Sequence, residues 1–106
     1  MKTLITSQEA SENAAMDLRF GRAKWFCIYD DQSKQTTFTE NPSVDAQGGA
    51  GVKTAETAVE MGVTRIISGH FGPKAKEILD KFNIQLIENK NEQSIKEIIT
   101  QLENNN

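Results

Sequence analysis

GVTRIISGHFGPKAKEIL, residues 62–79, is the stretch on which the fold turns. Residues 64–68 centre on Ile66-Ile67, a short β-branched run that reads as a buried strand. Gly72-Pro73 then breaks the chain, and proline is favoured at the first position of a helix, where its missing N–H would be unpaired anyway. After it, Ala75, Ile78, Leu79 and Phe82 fall at i, i+3, i+4 and i+7, the apolar stripe of an amphipathic helix. Strand, tight turn and helix make half of a βαβ unit. IQLIE, residues 84–88, supplies the strand that returns parallel to the first.

Working outward from this unit, Ile95, Ile98, Ile99 and Leu102 repeat the helical stripe, and the polar ENNN end predicts a frayed tail over 102–106. On the other side, Val52, Ala55, Ala58 and Val59 predict a helix from Gly51 that Gly62 stops. KWFCIYDD (24–31) and KQTTFTEN (34–41) read as a β-hairpin whose second strand is partly exposed, ended by Asn41-Pro42. KTLIT (2–6) is a first strand. Residues 7–23 read as a long loop with one helical turn, and Gly21 is expected at positive φ, turning the chain into the next strand. The order β-β-β-α-β-α-β-α implies an α/β fold with a mixed sheet covered by helices, in a single domain over 1–106.

Composition narrows the function. The 106 residues are 37% hydrophobic and only 7% aromatic, so the core is expected to be aliphatic. A net charge of −3 argues against capture of nucleic acid, which needs clustered cations. No apolar run approaches the length of a membrane span, and the first residues lack a signal-peptide pattern, so no membrane partner and a cytoplasmic location are expected. The single cysteine, Cys27, excludes an internal disulfide and a cysteine-rich metal site. Lying mid-strand in phase with Trp25 and Tyr29, it reads as a small buried hydrophobe.

Three places carry candidate chemistry. The strand-to-helix junction at 68–73 holds the only histidine, His70, between Gly69 and Phe71. Ligands in open α/β sheets settle beyond the carboxyl ends of strands, near free helix N–H groups, so His70 either meets a ligand or is a loop histidine bonded to nearby backbone. QGGAGVKTAE (47–56) places Gly48, Gly49 and Gly51 before a helix, either to let backbone approach an anion or as a flexible helix entry. It fits no nucleotide-binding signature. RFGRAKWF (19–26) concentrates Arg19, Arg22 and Lys24, with Arg22 aimed at an anion or simply solvated. No converging carboxylates and no nucleophile–base constellation are legible, so catalysis is not expected.

Taken in order, FGRAKWFCIYD, GGAGVKTAE, GVTRIISGHFGPKAKEIL and FNIQLIE closely resemble the dinitrogenase iron–molybdenum cofactor biosynthesis family, the NifX- and NafY-like group that includes the C-terminal domain of NifB. The resemblance covers about Lys2 to Leu102, and its marks are FGRA before an aromatic strand and a GxxGPxA turn from Gly69 to Ala75. It implies a three-layer α/β/α ribonuclease H-like fold, with five strands in the order 3-2-1-4-5 and strand 2 antiparallel. It also implies a stand-alone, non-enzymatic domain that binds or carries, transiently, an anionic iron–sulfur or iron–molybdenum cofactor precursor, with donor or acceptor proteins as partners. The positions carried over are Arg22, Gly48, Gly49, Gly51, Gly69, His70 and Gly72, and His70 is inferred as a metal ligand. Arg22, Gly49 and His70 are expected around one electropositive mouth. A metal-free interaction or regulatory module is the alternative, and an enzyme using the glycine loop as a phosphate cradle ranks behind both.

Overall fold

The computed structural model describes residues 1–104. Its elements are β1 (Lys2–Ser7), β2 (Trp25–Asp30), β3 (Gln35–Glu40), α1 (Ala50–Glu60), β4 (Arg65–Ser68), α2 (Pro73–Lys81), β5 (Gln85–Glu88) and α3 (Ile95–Asn104). The strands form one sheet in the order β3-β2-β1-β4-β5. β2 runs antiparallel to β1 and β3, whereas β4 is parallel to both β1 and β5. The element order and the strand order are those anticipated from the sequence.

Alternation along the strands divides the core between the two faces. Leu4, Phe26 and Ile66 point to one side, where Ala55 and Ala58 of α1 and Ala75 and Leu79 of α2 cover them. Ile5, Cys27, Tyr29 and Ile67 point to the other side and pack on Ile95, Ile98 and Ile99 of α3. Small alanines on α1 and α2 let those helices lie close to the sheet, and the isoleucines of α3 fill its own layer. Full burial of one such Leu or Ile contributes about 1.5–3 kcal/mol.

Three local expectations are corrected. Residues 8–24 contain no helix, only isolated turns such as the one closed by the Ala14 N–H on the Ser11 carbonyl (3.0 Å). They run instead as an extended strap, with Met16 bridged to Ser7, Ala15 to Ser94 and Arg19 to His70. Met16, Phe20 and Ala23 anchor the strap in the core. Phe82 does not complete the apolar stripe of α2: the helix stops at Lys81, and Phe82 is its C-cap with 58% of its surface exposed. The reason is Asn83, at φ 59, which turns the chain left-handed so that the Ile84 N–H returns to the Leu79 carbonyl (3.1 Å). Finally, α3 is continuous to Asn104, so residues 102–104 are helix and not a frayed end. The expectation for 105 and 106 lies outside the described residues. Among the described residues, no helix is long and apolar enough to cross a membrane.

Candidate functional site

The carboxyl ends of β1 and β4 are tied together by buried hydroxyls. Thr6 Oγ1 donates to the Asp17 carbonyl (2.6 Å) and lies 2.7 Å from Ser68 Oγ, itself 3.3 Å from that carbonyl. Asp17 is buried, and its carboxylate accepts from the Arg19 backbone N–H (2.9 Å) and from Arg19 Nε (3.2 Å) and Nη2 (3.3 Å). That hydrogen bond, then the charge of Asp17, holds the Arg19 guanidinium above its usual pKa. Arg19 is thereby committed to structure.

The strap then crosses the end of β4 at very short range. A Cβ on Gly69 would sit 2.6 Å from the Leu18 carbonyl oxygen and 2.7 Å from its Cα, so only glycine fits there. Phe71 is buried in the core, its ring centroid 5.1 Å from that of Phe20. His70, between these two anchored residues, is turned outward: its side chain is 73% exposed and its Nδ1 lies 4.0 Å from Glu88 Oε2 at the end of β5. Its carbonyl accepts from the Phe20 N–H (3.2 Å).

Gly21 continues this theme, in a way the sequence reading misassigned. Its φ is not positive. What it provides is contact: a Cβ there would lie 2.8 Å from both Cα and N of Gly51. The backbone of the strap thus rests directly on the first turn of α1. Asn41, buried at 2% exposure, locks this arrangement. Its Nδ2 donates to the Ala23 carbonyl (2.9 Å) and to Thr54 Oγ1 (3.2 Å), and Thr54 Oγ1 in turn donates to the Gly21 carbonyl (3.2 Å). The sequence reading used Asn41 only to end the hairpin. A buried amide has no periodic signature, though Asn-Pro after a strand was the available sign.

The result is a cleft of about 390 Å³ walled by Gly21 and Arg22, by residues 49–52 at the start of α1, and by residues 72–75 at the start of α2. Two helix N-termini open onto it, each carrying roughly half a positive charge. Neither has a side-chain cap or an acidic residue in its first turn; α1 starts from Gly49 at φ 67 and α2 from Gly72 followed by Pro73. Arg22 and Lys74 add full charges, and no acid lines the cleft. Arg22 Nη1 donates to the carbonyls of Val44 (3.1 Å) and Ala46 (2.6 Å), neutral acceptors that orient the guanidinium without cancelling its charge.

The structure therefore brings Arg22, Gly49, Gly51 and Gly72 to one cleft and leaves Gly48, Gly69 and His70 off its lining. A Cβ at Gly48 would meet nothing within 4 Å, so no packing demands glycine there. The expected single mouth is divided, with Arg22 and three of the glycines at the cleft and His70 facing Glu88. Among the described residues no three His, Cys, Asp or Glu side chains group as a metal site. Cys27 is fully buried, and burial pushes its thiol up to about 12, which makes it a core residue and no nucleophile. Two other hollows have comparable volume but the wrong charge. One of about 400 Å³, near Glu88, Asn89 and Gln93, has no cation in its lining, and one of about 440 Å³, between α1 and α2, contains Glu56 and Glu60.

Comparisons with known proteins bear on this geometry. The profile of the family described as dinitrogenase iron-molybdenum cofactor matches residues 1–105. The apo form of the orange protein from Desulfovibrio gigas superposes with a TM-score of 0.90 at 22% identity, over 98% of this chain and 88% of that one. A Thermotoga protein provisionally named NifB superposes with a TM-score of 0.82 at 27% identity, over 97% of this chain and 87% of that one. A search of curated protein sequences gave no match.

Proposed function

The chain belongs to the dinitrogenase iron–molybdenum cofactor family, and from that premise we propose that it is a non-enzymatic carrier of an anionic metal–sulfur cluster of the cofactor-precursor type. The cargo sits in the cleft between the first turns of α1 and α2. One observation carries this reading: two uncapped helix N-termini, Arg22 and Lys74 face a single acid-free cleft in a protein whose net charge is −3. A multiply charged anion is the ligand class such a concentration of positive potential selects. The similar orange protein, known in an apo form, supports a fold that can stand without a bound group. The ribonuclease H-like name for this three-layer arrangement belongs to the same family reading.

In this reading the two parts of the site take different roles. The cleft supplies charge and amide dipoles, which hold an anion without a covalent bond and so permit release to an acceptor protein. His70, outside the cleft, offers a metal bond from the rim after its ring leaves Glu88. Anaerobic titration with tetrathiomolybdate as the probe, followed by its visible absorption, tests both assignments. Arg22→Gln is expected to weaken binding on the order of tenfold, the range of one charge-assisted contact, and His70→Ala by less. Binding unchanged in Arg22→Gln would remove the cargo from the cleft, and a larger loss in His70→Ala would move it to the Glu88 side.

A further inference from the structure

β3 is an edge strand of unusual regularity. All six of its residues pair with β2 in one unbroken antiparallel register, from Gln35 opposite Asp30 to Glu40 opposite Trp25. It contains no proline, and it has no bulge to twist the edge away. The ladder continues to Asn41, whose N–H donates to the Lys24 carbonyl (2.9 Å). Antiparallel pairing alternates, so the odd residues Gln35, Thr37 and Thr39 turn their backbone groups toward β2, and Thr36, Phe38 and Glu40 turn theirs outward. Among the described residues those outward groups have no backbone partner beyond the sheet.

The sequence along this edge is complementary to itself. Laid antiparallel on a second copy about Thr37, it sets Thr37 against Thr37, Thr36 against Phe38, and Lys34 against Glu40 at both ends. Outward groups then meet outward groups, forming about four new ladder hydrogen bonds across the Thr36–Phe38 pairs. Among the described residues neither Lys34 nor Glu40 takes part in an ion pair. Lys34 and Thr36 lie on the α3 side of the sheet, and Phe38 packs on the same side, so the pairs share a face. Centring the copies on Phe38 instead would leave Lys34 opposite Pro42, without an acid. The opposite edge, β5, is only four residues long.

We propose that β3 is a self-association edge, through which two copies of this chain join their sheets about a two-fold axis at Thr37. The charge pattern specifies the occupant: a strand that answers its own lysine with its own glutamate is matched to a second copy. None of the cleft residues belongs to β3, so the proposal stands independently of the cargo reading.

Cysteine scanning and mass measurement test it. Residues facing each other in a non-hydrogen-bonded antiparallel pair have Cα atoms about 4.5 Å apart, at the lower end of disulfide reach. Thr37→Cys is expected to give a disulfide-linked dimer under mild oxidation, whereas Glu77→Cys, exposed on α2, stays monomeric. The buried Cys27 does not compete. In native mass spectrometry across the micromolar range, Glu40→Lys should weaken the wild-type dimer on the order of tenfold, and adding Lys34→Glu should restore it. Thr36→Pro removes an outward N–H while leaving the β2 ladder in place, and should abolish the dimer with the circular dichroism spectrum retained. A wild-type chain that stays monomeric, a dimer that survives Thr36→Pro, or Thr37→Cys linking no faster than Glu77→Cys would each overturn the proposal.

Discussion

The three helices begin in two different ways. α3 opens with a reciprocal cap, in which the Ser94 N–H donates to Glu97 Oε1 (3.0 Å) and the Glu97 N–H donates to Ser94 Oγ (3.1 Å). α1 and α2 open on Gly49 and Gly72 with no side-chain cap at all. All three helices pack on the same sheet, so general stability does not explain the contrast. A capped N-terminus has spent its donors on its own chain; an uncapped one keeps them for something else. Two neighbouring helices do so toward one cleft, which is the feature the proposed binding site rests on.

The largest effect is expected at Gly21, where the strap meets the uncapped start of α1. An alanine there forces a methyl group to 2.8 Å from the Gly51 backbone. We expect a loss of about 3 kcal/mol, at the upper end for overpacking, because backbone cannot rotate aside. Urea unfolding measures it, and a loss under 1 kcal/mol would mean that the strap does not seat α1.

Next in size is Ser94→Ala, which removes the α3 cap at a cost of about 1 kcal/mol. The carboxylate half of this cap should depend on pH. Hydrogen bonds from the Ser94 backbone and side chain hold the Glu97 carboxyl below the usual glutamate range. Its stabilising contribution is therefore present above that range and fades as the pH falls through the lowered folded-state value. Wild type should lose its advantage over Glu97→Gln as the pH falls, and denaturation curves that stay parallel with pH would contradict the capping role of the carboxylate.

The smallest stability effect is the most informative. Gly72 has extended backbone angles suited to a capping residue, and a Cβ there meets nothing within 4 Å. Gly72→Asp should raise stability by only a few tenths of a kcal/mol. Its carboxylate at the cleft should nevertheless lower the affinity for tetrathiomolybdate at least tenfold, through repulsion and loss of free N–H groups. Stability gained with binding intact would mean that the bare cap serves no ligand.

What the sequence revealed follows from what has a period. Helical stripes at 52–59, 75–79 and 95–102, the aromatic and β-branched stretch at 24–31 and the isoleucine pair at 66–67 named the elements and their order because each buries one face of a regular structure. Phe82 defeated the stripe, since Asn83 ended the helix and no periodicity encodes that. The strap was misleading for a related reason: its apolar anchors Met16, Phe20 and Ala23 fall at i, i+4 and i+7, a helical spacing, yet backbone bonds from distant segments hold it as a non-helical strap. At the site, Arg22, Gly49, Gly51 and Gly72 were legible as charge and glycine near helix starts. The removal of His70 from their company depends on Gly69 and Phe71 pinning the turn on both sides of it, a tertiary effect.

The hydroxyl contact between Thr6 and Ser68 joins residues 62 apart in the chain. Closing so long a loop is slow relative to forming the β2–β3 hairpin, whose partners are near neighbours. The walls of the cleft come from the strap, α1 and α2, segments spread over residues 21–75 that only the assembled sheet brings together. A chain still emerging from the ribosome has no such mouth to offer. On the carrier reading proposed above, loading would wait for the finished molecule.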